Sequence, residues 1–326
     1  MNTRPWAIVM ACLVIATATL SGAAMAQSDY PNRTIRLIVP ASPGGGTDFT
    51  ARLIAQRLSA LLNQSVVVEN RAGASGNIGA ELVARAAPDG YSLVMPITSF
   101  PMNPSLFKKM PFDTERDFAP VALASVAPLY LVVNPSVPAN SVAELIALAK
   151  AKPDALNYAN SGRGTSAHLA GELFKRMAGI EMTSLPYKGG GPAVIDLIAG
   201  QVQVYFSTIP AAIAHVQTGK LRGLAVTSSK RVEQIPNVPT VAESGLPGFE
   251  VVGWFGIFAP AGTPAPIIGR LSTEINRILK EPQTRDQFAG HGLVPGGGTP
   301  EELGTFLKTE LNRWGTLIRS IGINPE

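Results

Sequence analysis

The sequence predicts an α/β protein made of two similar domains, and three observations predict it. Strand-like and helix-like segments alternate along the chain, which favours α/β layers with mainly parallel sheets. A length of 326 residues suits two domains at roughly 100–200 residues each. A strand–glycine loop–helix unit occurs twice, about 118 residues apart, a period too long for a solenoid. With 46% hydrophobic and 15% charged residues and no long charge run, the chain can bury a core and is not disordered.

The first 26 residues read as a secretory signal peptide. Arg4 gives the positive start, Trp6 to Leu20 the apolar run, and Ala24-Met25-Ala26 the small-x-small site that puts the cut before Gln27. The run is shorter than the roughly 20 residues of a membrane anchor. Ala23 stands where a lipoprotein needs a cysteine, and the sole cysteine, Cys12, lies in the removed segment. The expected product is exported, soluble and free of thiols.

Residues 34–40 are a β-branched run ended by Pro and Gly, hence a buried strand. From Thr47, Leu53, Ile54, Leu58, Leu61 and Leu62 recur at spacings of three and four, a helix with one apolar face. Residues 65–69 form a strand, 70–76 a turn-rich break, 77–86 a helix, and 91–96 a strand after the Pro88-Asp89-Gly90 turn. Strands at 129–133, 155–159, 183–186, 203–206 and 223–227 then alternate with helices at 141–151, 165–177, 191–199 and one more short helix. The run VVGWFGIFAP is strand-like, with Trp254 read first as core and second as a ligand platform in the cleft, and 264–279 and 300–318 are helices.

Both repeats run from a strand through glycines into a helix start. The first loop is Ala41-Ser42-Pro43-Gly44-Gly45-Gly46-Thr47-Asp48; the second is Ser161-Gly162-Arg163-Gly164-Thr165-Ser166, with His168 just inside its helix. Helix N-termini leave N–H groups unpaired and carry about +0.5 elementary charge. Glycines let a ligand approach that backbone, and Ser or Thr hydroxyls add donors. Two such ends facing each other across a cleft hold a carboxylate without Lys or Arg. Each loop taken singly is also an ordinary capped turn. The matched pair, at the ends of strands where open sheets bind ligands, favours binding. Gly189-Gly190-Gly191-Pro192 is a third loop of this kind. Asp48 reads first as a capping and loop-ordering carboxylate and second as a general base. Arg163 reads as a solvent-facing side chain before a carboxylate partner.

Other chemistries find little support. There is no Gly-x-Ser-x-Gly elbow and no Gly-Lys-Ser/Thr phosphate loop, and Gly162-x-Gly164 lacks the third glycine of a dinucleotide fingerprint. Three histidines without close spacing make no metal site, and His215 and His291 read as isolated surface or packing residues. No cofactor is expected. The 27 basic and 23 acidic residues are scattered, so no basic stripe awaits nucleic acid. A secreted α/β enzyme using Asp48 or His168 is the alternative from another class. A sensory protein presenting its ligand to a membrane kinase is the other.

The segments VPASPGGGTD, PDGYSL, YANSGRGTSAHLAGELF, LPYKGGGPAVIDLIAGQVQV, LRGLAVTS and GIFAPAGTP resemble, in order, those of the Bug proteins, the solute receptors of tripartite tricarboxylate transporters. The resemblance implies a two-domain type II periplasmic-binding-protein fold with a ligand cleft between the domains. One domain is expected at 30–126 plus 252–326 and the other at 127–251. It further implies capture of a small carboxylate, amino acid or related anion by a monomeric clamp and delivery to a membrane permease, without catalysis. Its ligand positions fall on Ala41 to Asp48 and Ser161 to His168; Tyr187, Gly189 and Gly190, at the third glycine loop, are added as candidates. The chain departs at Ala41, where many relatives carry an aromatic residue, and at Ser207, where relatives often carry an acid. These departures imply a roomier or differently capped pocket and remove an acidic partner for a ligand ammonium.

Overall fold

The computed structural model describes residues 30–41, 43–153, 155–160, 162, 165–187, 190–320 and 325. The expected signal peptide and Ser42, Ser161, Arg163, Gly164 and Gly189 lie outside them. In chain order, β1 (Ile35–Val39), α1 (Gly46–Leu62), β2 (Val66–Asn70), a 3₁₀ turn (Ala74–Gly76), α2 (Asn77–Ala84), β3 (Ser92–Val94) and α3 (Asn103–Leu106) lead to β4 (Phe118–Val133). Then come α4 (Val142–Ala151), β5 (Asn157–Asn160), α5 (Ser166–Ala178), β6 (Thr183–Pro186), α6 (Gly190–Ile198), β7 (Val204–Thr208), α7 (Ile209–Gln217) and β8 (Arg222–Val226). The chain returns through β9 (Val252–Pro260) to α8 (Ala265–Lys280), α9 (Pro282–Gly290), β10 (Val294–Pro295) and α10 (Pro300–Ser320).

Local chemistry sets the helix limits. The face of α1 that carries Leu53, Ile54, Leu58 and Leu62 is buried, and Asn63 stops the helix in the left-handed region at φ 49°. Thr165 caps the start of α5, and Gly179 ends it, also left-handed. At α4 the Ser141 hydroxyl accepts from the Glu144 amide at 3.1 Å, while the Glu144 carboxylate accepts from the Asn140 amide at 2.8 Å. Among the described residues no helix is long and apolar enough to cross a membrane.

The strands run in the order β2-β1-β3-β9-β4-β7-β5-β6, with β8 and β10 also on β4. Among the named strands of the described residues, parallel pairing joins β1 with β2 and β3, and β5 with β6 and β7; one isolated parallel bridge joins Val226 to Thr240. Every pair made by β4 or β9 is antiparallel. The expectation of mainly parallel sheets is corrected accordingly: parallel βαβ units form the outer parts, and the strands crossing between them run against their neighbours. β4 is the central device. Its first part pairs with β9 as far as Pro128↔Val252, and its second part pairs with β7 from Leu129↔Thr208. One strand therefore belongs to both halves of the molecule. Its first part was not legible as a strand because Pro120, Pro128 and repeated alanines mask the β-branched pattern.

Each half has its own core. Ile35, Leu37, Ile54, Leu58, Leu271 and Ile275 are fully shielded between β1, α1 and α8. In the other half Phe174 stands edge-on to Phe206 and Phe249, with ring centroids 5.7 and 6.1 Å away. Burial of each such side chain contributes about 1.5–3 kcal/mol. Helix α10 links the two halves. Leu303 and Leu307 pack with Trp254 and Phe258, whereas Trp314, Leu317 and Ile318 join the core that holds Phe174.

Candidate functional site

Where β4 passes from one sheet to the other, a cavity of about 620 Å³ opens between the halves, a size that suits a small ligand. Gly44, Gly45 and Gly46 line it from one side and Thr165, Ser166 and Ala167 from the other. The two matched loops thus face one space. Pro128 and Leu129 of β4 and Gly253 and Phe255 of β9 form its floor between them.

Gly45 is the N-cap of α1, with extended backbone at φ −83° and no side-chain cap, so the first N–H groups of the helix keep no capping partner. The loop in front is tied down by Asp48 instead. Its Oδ2 accepts from the Gly44 amide and from Arg52 Nε, both at 3.0 Å, and its Oδ1 accepts from Asn70 Nδ2 at 2.9 Å. The same Asn70 amide donates to the Ala41 carbonyl at 3.0 Å. Burial acts to raise the Asp48 pKa, but the bonds from Arg52, Gly44 and Asn70 outweigh it and hold the group below its ordinary value. Asp48 is 4% exposed and, like Thr47 and Ala41, does not line the cavity. A Cβ on Gly46 would lie 3.2 Å from the Phe255 ring, a tight contact that the ring must move by a few tenths of an ångström to relieve.

In the second loop Thr165 Oγ1 donates to the Gly162 carbonyl at 2.7 Å and accepts from the His168 amide at 3.3 Å. Gly162 has φ +126°, and its N–H donates to Asn160 Oδ1 at 2.9 Å. The last residue of β5 therefore orders the loop that follows it. His168 is half-buried and does not line the cavity. Gly190 opens α6, and the Tyr187 hydroxyl donates to Asp196 at 2.9 Å; burial and that carboxylate push the Tyr187 pKa up. Neither residue reaches the cavity lining. Ser207 is fully buried and donates to the Thr208 carbonyl at 3.1 Å.

Several lining residues escaped the sequence. Thr208 and Pro210 begin α7 with no side-chain cap bond, and Thr-x-Pro is a helix-start signal that could have revealed a further N-terminus. Ser75, at φ 52° in the 3₁₀ turn before α2, lines the same space. Along β9, Gly253 and Phe255 face the cavity, while Trp254 between them is 1% exposed and stands edge-on to Phe306 at 5.4 Å. Alternation along a strand carries that information once either face is known. His291, expected as an isolated surface or packing residue, belongs to the site. It lines the cavity and stacks on Phe49 with ring centroids 3.5 Å apart. Only the tertiary fold makes that contact.

None of the described lining residues is Lys, Arg, Asp or Glu. The polar surface consists of hydroxyls, backbone amides at helix starts and one imidazole, and the remainder is apolar. Such neutral donors, fixed before the ligand arrives, stabilise an anion without a counter-ion.

The sequence model of the tripartite tricarboxylate transporter family receptor (TctC) matches residues 50–323. Protein BugT of Bordetella pertussis is 40% identical over 312 residues, covering 95% of each chain. Among solved structures, R. palustris Rpa4515 with adipate is 39% identical with a TM-score of 0.75, covering 91% of this chain and all of its own. MatC of Rhodopseudomonas palustris with bound malate is 33% identical with a TM-score of 0.70, covering 89% of this chain and all of its own. Two α/β halves, a cavity between them and these likenesses lead to one conclusion: the chain belongs to the tripartite tricarboxylate transporter receptor family, the Bug or TctC solute-binding proteins of the periplasm.

Proposed function

We propose that this protein captures a small carboxylate-bearing solute in the cavity between its halves and hands it to a membrane permease of the tripartite tricarboxylate type, without chemistry. The observation that carries the reading is the convergence of the loops at Gly44–Gly46 and Thr165–Ala167 on a cavity whose described lining holds no charged side chain. The adipate and malate of the two solved relatives are both carboxylates, which supports the class. In this reading the signal peptide is cut after Ala26, the mature chain acts as a monomer, and the domains are 30–126 plus 252–326 and 127–251. Of the ligand set expected from the sequence, the contact is assigned to the members that line the cavity, Gly44, Gly45, Gly46, Thr165 and Ser166. Each half supplies part of the donors, so the ligand is satisfied only when the halves meet, and that difference in affinity drives closure. The commitment of both Asp48 oxygens to Gly44, Arg52 and Asn70 supports a role without turnover.

The test is a thermal-shift screen of mono- and dicarboxylates, followed by small-angle scattering with each hit. At about 100 times its dissociation constant a ligand raises stability by roughly 2.7 kcal/mol, and the radius of gyration falls. A hit that is consumed on incubation, or that leaves the radius unchanged, refutes the clamp.

A further inference from the structure

We propose that His291 is a specificity-determining residue of this site and that it selects a carboxylate bearing a hydroxyl group. The inference rests on the carboxylate reading above. His291 follows α9 and lines the cavity, its ring stacked on Phe49 at 3.5 Å and 18° between planes. Its Nδ1 lies 3.0 Å from the Gln287 carbonyl oxygen. A carbonyl oxygen only accepts, so Nδ1 carries the hydrogen and Nε2 of the neutral ring is an acceptor. Nε2 has no hydrogen-bond partner among the described residues.

The ring is held by Phe49 and Gln287 of its own half, and the backbone that follows it is held by the other half. Gly292, at φ +64°, packs its α-carbon directly against Pro210 of α7, leaving no room for a Cβ. The Leu293 carbonyl accepts from Gln234 Nε2 at 3.4 Å. Phe49 and the Gln287 carbonyl fix the ring plane and its tautomer, so little freedom is lost when a ligand meets it. The other polar groups at hand are the hydroxyls and helix-start amides that suit the carboxylate, and Ile97, Leu129, Phe206 and Phe255 offer it no partner. A hydroxyl can donate to Nε2. A second carboxylate, acceptor against acceptor, cannot.

The test is calorimetry at pH 8 with matched probes: benzoate against 3- and 4-hydroxybenzoate, and hexanoate against 6-hydroxyhexanoate and adipate. At least one hydroxylated probe binds the wild-type protein about fivefold tighter than its parent. In His291→Phe, which keeps a ring on Phe49, that ratio falls to about one; in His291→Gln, which restores an acceptor, part of it returns. Should His291→Phe not fold, the Nε2 nitrogen resonance of the wild-type protein gives the same answer, moving with the hydroxylated probe and not with its parent. Equal affinities within every pair, an unchanged ratio in His291→Phe, or adipate binding tighter than 6-hydroxyhexanoate overturns the assignment and leaves the carboxylate reading standing. Failure of the wild-type protein to bind any carboxylate overturns both.

Discussion

The carboxylate of Asp48 accepts the N–H of Gly44 at 3.0 Å, so the first turn of α1 closes the loop that precedes it. The bond runs backward across four residues and holds Gly44 to Gly46 against the cavity while leaving the helix start unblocked. A side chain that looks like a candidate base acts here as a fastening for the backbone.

Asp48→Asn is expected to weaken that fastening even though asparagine is a good cap. Both carboxylate oxygens accept, one from Gly44 and Arg52 and the other from Asn70, so an amide sets a donor against a donor. The loss is about 1–3 kcal/mol by urea unfolding, and ligand affinity falls with it. Unchanged stability would show that the loop is ordered by other means.

The three loop glycines separate three physical effects. Gly45→Ala, at φ −83° with open space around its Cβ, leaves stability within about 0.5 kcal/mol of wild type. Gly44→Ala, at φ +94°, loses about 1–2 kcal/mol to backbone strain alone. Gly46→Val drives its side chain into Phe255 and weakens ligand binding by about tenfold. Thermal melts and calorimetry on the three variants check the order. A Gly46→Val protein that binds normally contradicts the close-packing argument.

Acid sensitivity is expected from two carboxylates. Glu69 is held from 4.5 down to about 2, chiefly by Arg36, whose Nε and Nη2 donate to it at 2.6 and 3.0 Å, with a further bond from Arg71. Asp48 is shifted in the same direction. A folded pKa below the unfolded one gives stability that is full above the unfolded value and is lost as pH falls through the folded one. The urea midpoint is therefore flat from pH 7 to about 5 and declines from there toward pH 2. Glu69→Gln is less stable at pH 7 and declines less steeply. Parallel curves for the two proteins would rule Glu69 out.

Trp254 is a weak reporter of the ligand, because its indole packs with Phe258 and Phe306 on the face away from the cavity. Its emission is that of a shielded ring and changes little on binding. Phe255→Trp puts an indole in the lining and gives a large ligand-dependent change. Strong quenching of the wild-type protein, with none added by Phe255→Trp, would reverse the assignment of the two faces of β9.

Much of the fold was legible because its signals are local. The spacing of Leu53, Ile54 and Leu58 defines α1, and β-branched runs mark β1 and β2. The α9 helix was missed because only Thr284 and Phe288 of its nine residues are buried, too few to show a period. In the site, glycines before helix starts announced two of the walls. Phe255 lay hidden beside the more conspicuous Trp254, and Thr208 and Ser75 stand at helix starts with no repeated pattern to mark them.

By itself the sequence determined the α/β class, the two matched glycine loops and the neutral, helix-terminus chemistry they offer an anion. Each of these follows from neighbours within one turn or one strand, where periodicity and capping act. Only the tertiary structure decided that β4 is a single strand shared by two sheets, that Asp48 turns back to Gly44 and Asn70, and that His291 meets Phe49 across more than two hundred residues. The reason is physical: a contact between distant segments depends on how whole layers pack, and no local pattern of residues encodes where a packed layer will place one ring against another.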